Sequence, residues 1–184
     1  MPPKETAANR VVAELYVDGC RQLFAAYGLT ARLERQHDQP VEDSASRYLS
    51  IICATGPTLR LLSTIYLSAD MLAAIHPAAE RGLSRRDLED WCMELNNQLL
   101  GRVKNKLLRR GCELVIGLPS VLRGSGMKAA TSPDLVVRHN YFSSDHGTLI
   151  ATLAMLVSPH LDLNAELAGA EAQSVGHEGA VSLF

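Results

Sequence analysis

The chain has 184 residues, 47% of them hydrophobic, enough to bury one substantial core, and carries a formal net charge of −2. That balance provides no global attraction for nucleic acid, and an aromatic content of 5% leaves few rings on which bases could stack. The apolar run at 149–157 falls far short of the roughly 20 residues that cross a bilayer, and residues 1–10 lack the apolar core of a signal peptide, so the expected setting is the cytoplasm, away from membranes.

Val11, Val12, Leu15, Tyr16, Leu23 and Phe24 recur at helical spacing, which predicts a first helix over 8–27 stopped by Gly28. A short strand is expected at 29–34 and a polar loop at 37–44. Segments 47–54 and 58–67 are apolar and β-branched and meet at Gly56 and Pro57, the pattern of a hairpin. A short helix over 69–76 ends before Pro77, which disfavours helical backbone in the residue it follows.

The best-marked element comes next. Ser84 is a helix N-cap with Asp87 three places on, Leu83 and Leu88 are spaced to staple the first turn, and Arg109, Arg110 and Gly111 read as a basic last turn with a glycine past the end. The predicted helix spans about 26 residues, or roughly 39 Å. Beyond it, 113–118 alternates loosely and stops at Pro119, and 123–128 reads as a turn. Segments 135–142 and 148–157 flank a turn at Asp145, His146 and Gly147 and form a second antiparallel pair. From 164 to 184 the chain is rich in Ala, Gly, Glu and Ser and reads as a flexible tail, leaving 1–163 as a single domain. The order predicts an α+β fold, an antiparallel sheet with helices segregated on one side.

On the long helix, Asp90, Glu94, Asn97 and Gly101 fall within an arc of roughly 60°, mostly opposite Leu88, Trp91, Cys92, Leu95, Leu99 and Val103. Asn is a weak helix former and an interior Gly costs about 1 kcal/mol relative to Ala, so helix stability did not select this stripe. It is expected to face water or a partner, with Gly101 a place where another backbone comes close. Lys104 falls near the same stripe; the other basic residues of this helix spread around it. Asn96 lies about 100° round the helix from Asn97. Cys20, Cys53, Cys92 and Cys112 lack C-x-x-C spacing and read as buried thiols, and His37, His76, His139, His146, His160 and His177 lack ligand spacing, so no metal is expected.

Asp90, Glu94, Asn97 and Gly101, followed by Gly111, Pro119 and Gly124, resemble the signature of the CheX, CheC and FliY phosphatases of bacterial chemotaxis. That pattern is an Asp or Ser, a Glu four positions later, an Asn three after that, and a proline farther on; its single copy here points to the CheX-like branch. The resemblance implies a CheC-like fold with two long helices on one side of an antiparallel sheet. It also implies hydrolysis of the phospho-aspartate of a CheY-type receiver domain, with Asn97 orienting the attacking water and Glu94 docking the receiver. Asp90, Gly101 and Lys104 would then face that partner. The chain would need no cofactor of its own, any Mg²⁺ being supplied by the receiver. Family likeness further implies a homodimer paired through sheet edges, for which 135–142 is the expected edge. The alternative is a non-catalytic receiver-binding adaptor or flagellar-switch-like module on the same fold.

Overall fold

The computed structural model describes residues 5–37, 45–127 and 132–163; the tail expected at 164–184 and most of the loop expected at 37–44 lie outside the described residues. In chain order the elements are α1 (Ala7–Ala26), β1 (Arg32–His37), β2 (Ser46–Thr55), β3 (Leu59–Leu67), α2 (Ala69–Ala74), α3 (Arg85–Leu108), β4 (Val115–Ile116), β5 (Ser120–Ser125), β6 (Val136–Ser144) and β7 (Gly147–Val157). They build one antiparallel sheet in the order β1-β6-β7-β3-β2, with β4 and β5 both pairing along the free side of β2.

Local chemistry sets the boundaries. Thr6 caps α1 in a reciprocal box with Asn9, and Gly28, at φ 77°, turns the chain out of it. Ser84 and Asp87 close the same kind of box on α3, and the Ser84 hydroxyl and backbone N–H hold the Asp87 carboxyl below its ordinary range. At the far end Gly111, at φ 73°, lets the Cys112 N–H return to the Leu107 carbonyl at 3.0 Å. Between β2 and β3, a Cβ on Gly56 would stand 2.2 Å from the Glu113 carbonyl oxygen, so only glycine admits the strand that follows α3.

Both long helices lie on one face of the sheet. Strand alternation sends Tyr48, Ser50, Ile52 and Ala54 of β2 and Leu59, Leu61, Ser63, Ile65 and Leu67 of β3 toward them, all buried. The helices meet at Gly19, where an added Cβ would lie 3.2 Å from Leu99 and 3.4 Å from Val103. Lys106 of α3 donates to Asp18 of α1 beside this crossing.

The core contains one extended polar tie. The fully buried Asn96 donates from Nδ2 to the Ser50 carbonyl at 3.0 Å and the Ser63 carbonyl at 3.2 Å, while its Oδ1 accepts from Ser63 Oγ at 2.7 Å. With its only proton committed to Asn96, Ser63 Oγ accepts from the Tyr16 hydroxyl at 2.8 Å, which also reaches the Thr152 carbonyl at 3.2 Å. Burial pushes the Tyr16 hydroxyl well above its ordinary range, which keeps it a donor. α1, α3, β2, β3 and β7 are thus joined through three side chains.

Four expectations are corrected. The first strand runs over Arg32–His37 rather than 29–34, and β5 occupies Ser120–Ser125, part of which was expected to be a turn. Both lie at the sheet margins and carry mostly exposed side chains, so backbone pairing rather than an apolar pattern defines them. The segment 135–142 is not an edge: β6 is paired with β1 on one side and β7 on the other. Cys53 is exposed, because alternation in β2 turns it away from the helices, whereas Cys20, Cys92 and Cys112 are buried as expected.

Two measurements check this packing. Asn96→Ala removes the acceptor of the Ser63 hydroxyl and two bonds to backbone carbonyls and leaves a cavity, and should lower the unfolding free energy in urea by about 2–3 kcal/mol; a loss within error of zero contradicts the buried tie. Burial raises the Cys20 thiol and pushes that of Cys92 up to about 12, so in maleimide labelling of the folded chain Cys53 should react first and these two only in denaturant. Rapid modification of Cys20 without denaturant contradicts the helix–sheet packing.

Candidate functional site

The tie at Asn96 fixes the rotation of α3, and with it which residues point outward. One position on, about 100° round, Asn97 is exposed and makes no side-chain hydrogen bond among the described residues. The structure therefore separates two adjacent carboxamides: Asn96 is consumed by the sheet, and Asn97 is presented to solvent. Asp90 is exposed and lies 3.9 Å from Arg86, a loose pair whose partners both stand largely in water and which contributes little to stability. Gly101 and Lys104 are half-exposed, one and two turns beyond Asn97. A Cβ on Gly101 would meet nothing within 4 Å, so no packing within the chain requires glycine there.

Glu94, half-buried one turn before Asn97, is held from its own side of the molecule. Its Oε1 accepts from Gln98 Nε2 at 2.8 Å, and Gln98 Oε1 in turn accepts from the Tyr27 hydroxyl at 2.8 Å. The Tyr27 ring meets Trp91 edge-to-face with centroids 4.9 Å apart, and His76 meets Trp91 at 5.4 Å. Neither Gln98 nor Tyr27 was expected at the site. Gln98 stands four places after Glu94 on the same helix, a spacing the sequence does display; Tyr27 is 71 residues from Gln98 and becomes a neighbour only through the fold.

Pro119 sits immediately before β5, where its missing N–H removes no ladder bond. Val121 pairs with Ser50, whose carbonyl receives Asn96, so the start of β5 runs beside the middle of α3. Leu118, just ahead of it, is 94% exposed. Among the described residues no group of three or more His, Cys, Asp or Glu side chains is placed to hold a metal ion, and no helix is long and apolar enough to cross a membrane.

A CheC-like superfamily protein from Shewanella sp. PV-4 superposes with a TM-score of 0.68 at 19% identity, covering 79% of this chain and 97% of its own. The chemotaxis protein CheX from Vibrio vulnificus superposes with a TM-score of 0.70 at 15% identity, covering 79% and 99%. The fold is the CheC-like fold. A third match is the CheX–CheY–BeF₃–Mg²⁺ complex from Borrelia burgdorferi, with a TM-score of 0.63 at 13% identity, covering 78% of this chain and 97% of that one. No protein-family model and no curated protein matches the sequence. The expected architecture, two long helices on one face of an antiparallel sheet, agrees with these CheC-like structures.

Within this CheC-like fold Gly101 makes the helix weaker than it needs to be. Gly101→Ala should raise the unfolding free energy in urea by about 0.5–1 kcal/mol, because the new methyl group meets open space. A destabilised variant would mean that the backbone at this turn is under a constraint other than packing.

Proposed function

We propose that the chain is a CheX-like phosphatase that hydrolyses the phospho-aspartate of a CheY-type response-regulator receiver. The observation that carries the reading is the exposed Asn97 carboxamide one helical turn from Glu94, on a helix whose rotation is locked from beneath. An acyl phosphate is intrinsically labile, so an accelerating protein need only hold one water in line with the bond to be broken and stabilise the charge that develops. A neutral amide suits both tasks: its carbonyl oxygen accepts from the water while its NH₂ group donates to a phosphoryl oxygen.

In this reading Glu94 docks against the receiver's active site, Asp90 and Lys104 lie along the contact, and the bare Gly101 backbone admits the receiver's surface. The Mg²⁺ of the reaction belongs to the receiver and makes a nearby carboxylate electrostatically acceptable. The CheX–CheY complex with the same fold supports a receiver as the partner. Catalysis in the cytoplasm and assembly as a homodimer belong to the same proposal. With β6 internal, the sheet margins among the described residues are β1, lined by Arg32, Glu34, Arg35 and Gln36, and the β4–β5 side, where Val115 and Leu122 are exposed.

Asn97→Ala should slow phosphate release from a phosphorylated receiver by about a hundredfold or more, with receiver binding by calorimetry changed little. Unchanged turnover refutes the role given to Asn97. Tight binding to the phosphorylated receiver by the unaltered chain, with no release of phosphate, identifies a receiver-binding adaptor instead.

A further inference from the structure

We propose that Gln98 and Tyr27 are positioning residues that hold the Glu94 carboxylate in the pose it offers to the receiver; this rests on the docking role given to Glu94 above. A glutamate side chain has three rotatable torsions, and fixing them at the moment of docking weakens association. Here the fixing is done in advance. A carboxylate only accepts, so Gln98 must turn its Nε2 toward Glu94, and this leaves Gln98 Oε1 for the Tyr27 hydroxyl. The carboxylate dictates the orientation of the Gln98 amide, and the Tyr27 hydroxyl donates to the oxygen that this leaves.

An isolated glutamate–glutamine pair one turn apart on an exposed helix is a weak device. The difference lies in Tyr27, which comes from the C-cap of α1 and is itself braced against Trp91. The carboxylate is therefore referenced to a second helix rather than to its own alone. Oε1 takes the Gln98 bond, while Oε2 takes no hydrogen bond among the described residues and is left for a partner's donor. Gln98 lies about 100° round the helix from Asn97 and its two hydrogen bonds run to Glu94 and Tyr27, so the contacts bear on docking.

The test combines steady-state dephosphorylation at varied receiver concentration with calorimetric binding to receiver carrying beryllofluoride. Gln98→Leu should raise KM and Kd for the receiver by about tenfold with kcat held. Tyr27→Phe, which keeps the ring against Trp91, should move both constants in the same direction by less. Because Gln98 is argued to act through Glu94, adding Gln98→Leu to Glu94→Ala should cause no further loss. A further loss in the double variant, or Gln98→Leu and Tyr27→Phe both silent where Glu94→Ala weakens binding, overturns the positioning role and leaves the phosphatase reading intact. If Glu94→Ala itself leaves receiver binding unchanged, the docking role falls and this inference falls with it, whereas the fate of Asn97→Ala still decides the chemistry separately. Urea midpoints of Gln98→Leu and Tyr27→Phe matching the parent exclude misfolding as the cause of any shift.

Discussion

The structure depends on one buried carboxamide. An unpartnered amide in an apolar core is strongly disfavoured, so Asn96 can occupy its place only where acceptors and a donor meet it. Ser50 and Ser63 supply them, on the strands β2 and β3 that run beneath α3. The buried apolar face of α3 and its close approach to Gly19 seat the helix on the sheet, and hydrogen bonds to fixed backbone carbonyls add a directional restraint that hydrophobic contact lacks. The tie therefore helps to set the rotational phase of α3, and through Ser63 and Tyr16 it links α1 to the same strands.

A locked helix turns sequence spacing into geometry. Once Asn96 points into the sheet, Asn97 must point about 100° away, and Asp90, Glu94 and Gly101 follow on the same exposed side. Rigidity of this kind is what water positioning demands, since an amide that wanders by an ångström loses most of the benefit of holding a reactant in line. The stripe contributes nothing to the core, and Gly101 weakens the helix that carries it. Stability is supplied elsewhere: by reciprocal caps at Thr6 and Ser84, by the close approach at Gly19, and by the apolar faces of the two long helices.

Much of this was legible in the sequence because the relevant signals are local. Ser84 with Asp87, Gly111 past the end of α3, and the four-residue stripe can all be read from spacing alone. The two hairpins were also legible, since β2, β3 and β7 are buried enough to show apolar runs and their turns are marked by Gly56 and Gly147. The marginal strands were not. β1 and β5 carry mainly exposed side chains, and pairing with β6 and β2 creates them, information that resides in their partners. The exposure of Cys53 and the interior place of β6 likewise follow from register and strand order, which short-range patterns do not encode.

The two neighbouring asparagines show where local reading stops. Both have the same chemistry, and at the level of composition either amide could orient a water. What separates them is that Ser50 and Ser63, 46 and 33 residues from Asn96, converge under one of them and not the other. A core leucine at position 96 would satisfy the apolar pattern of α3 better, yet it would make none of the directional bonds by which Asn96 ties the helix to β2 and β3. The buried amide thus ties α3 to the sheet on one side while its neighbour stays exposed on another, and in the proposed reading it is the support on which Asn97 rests.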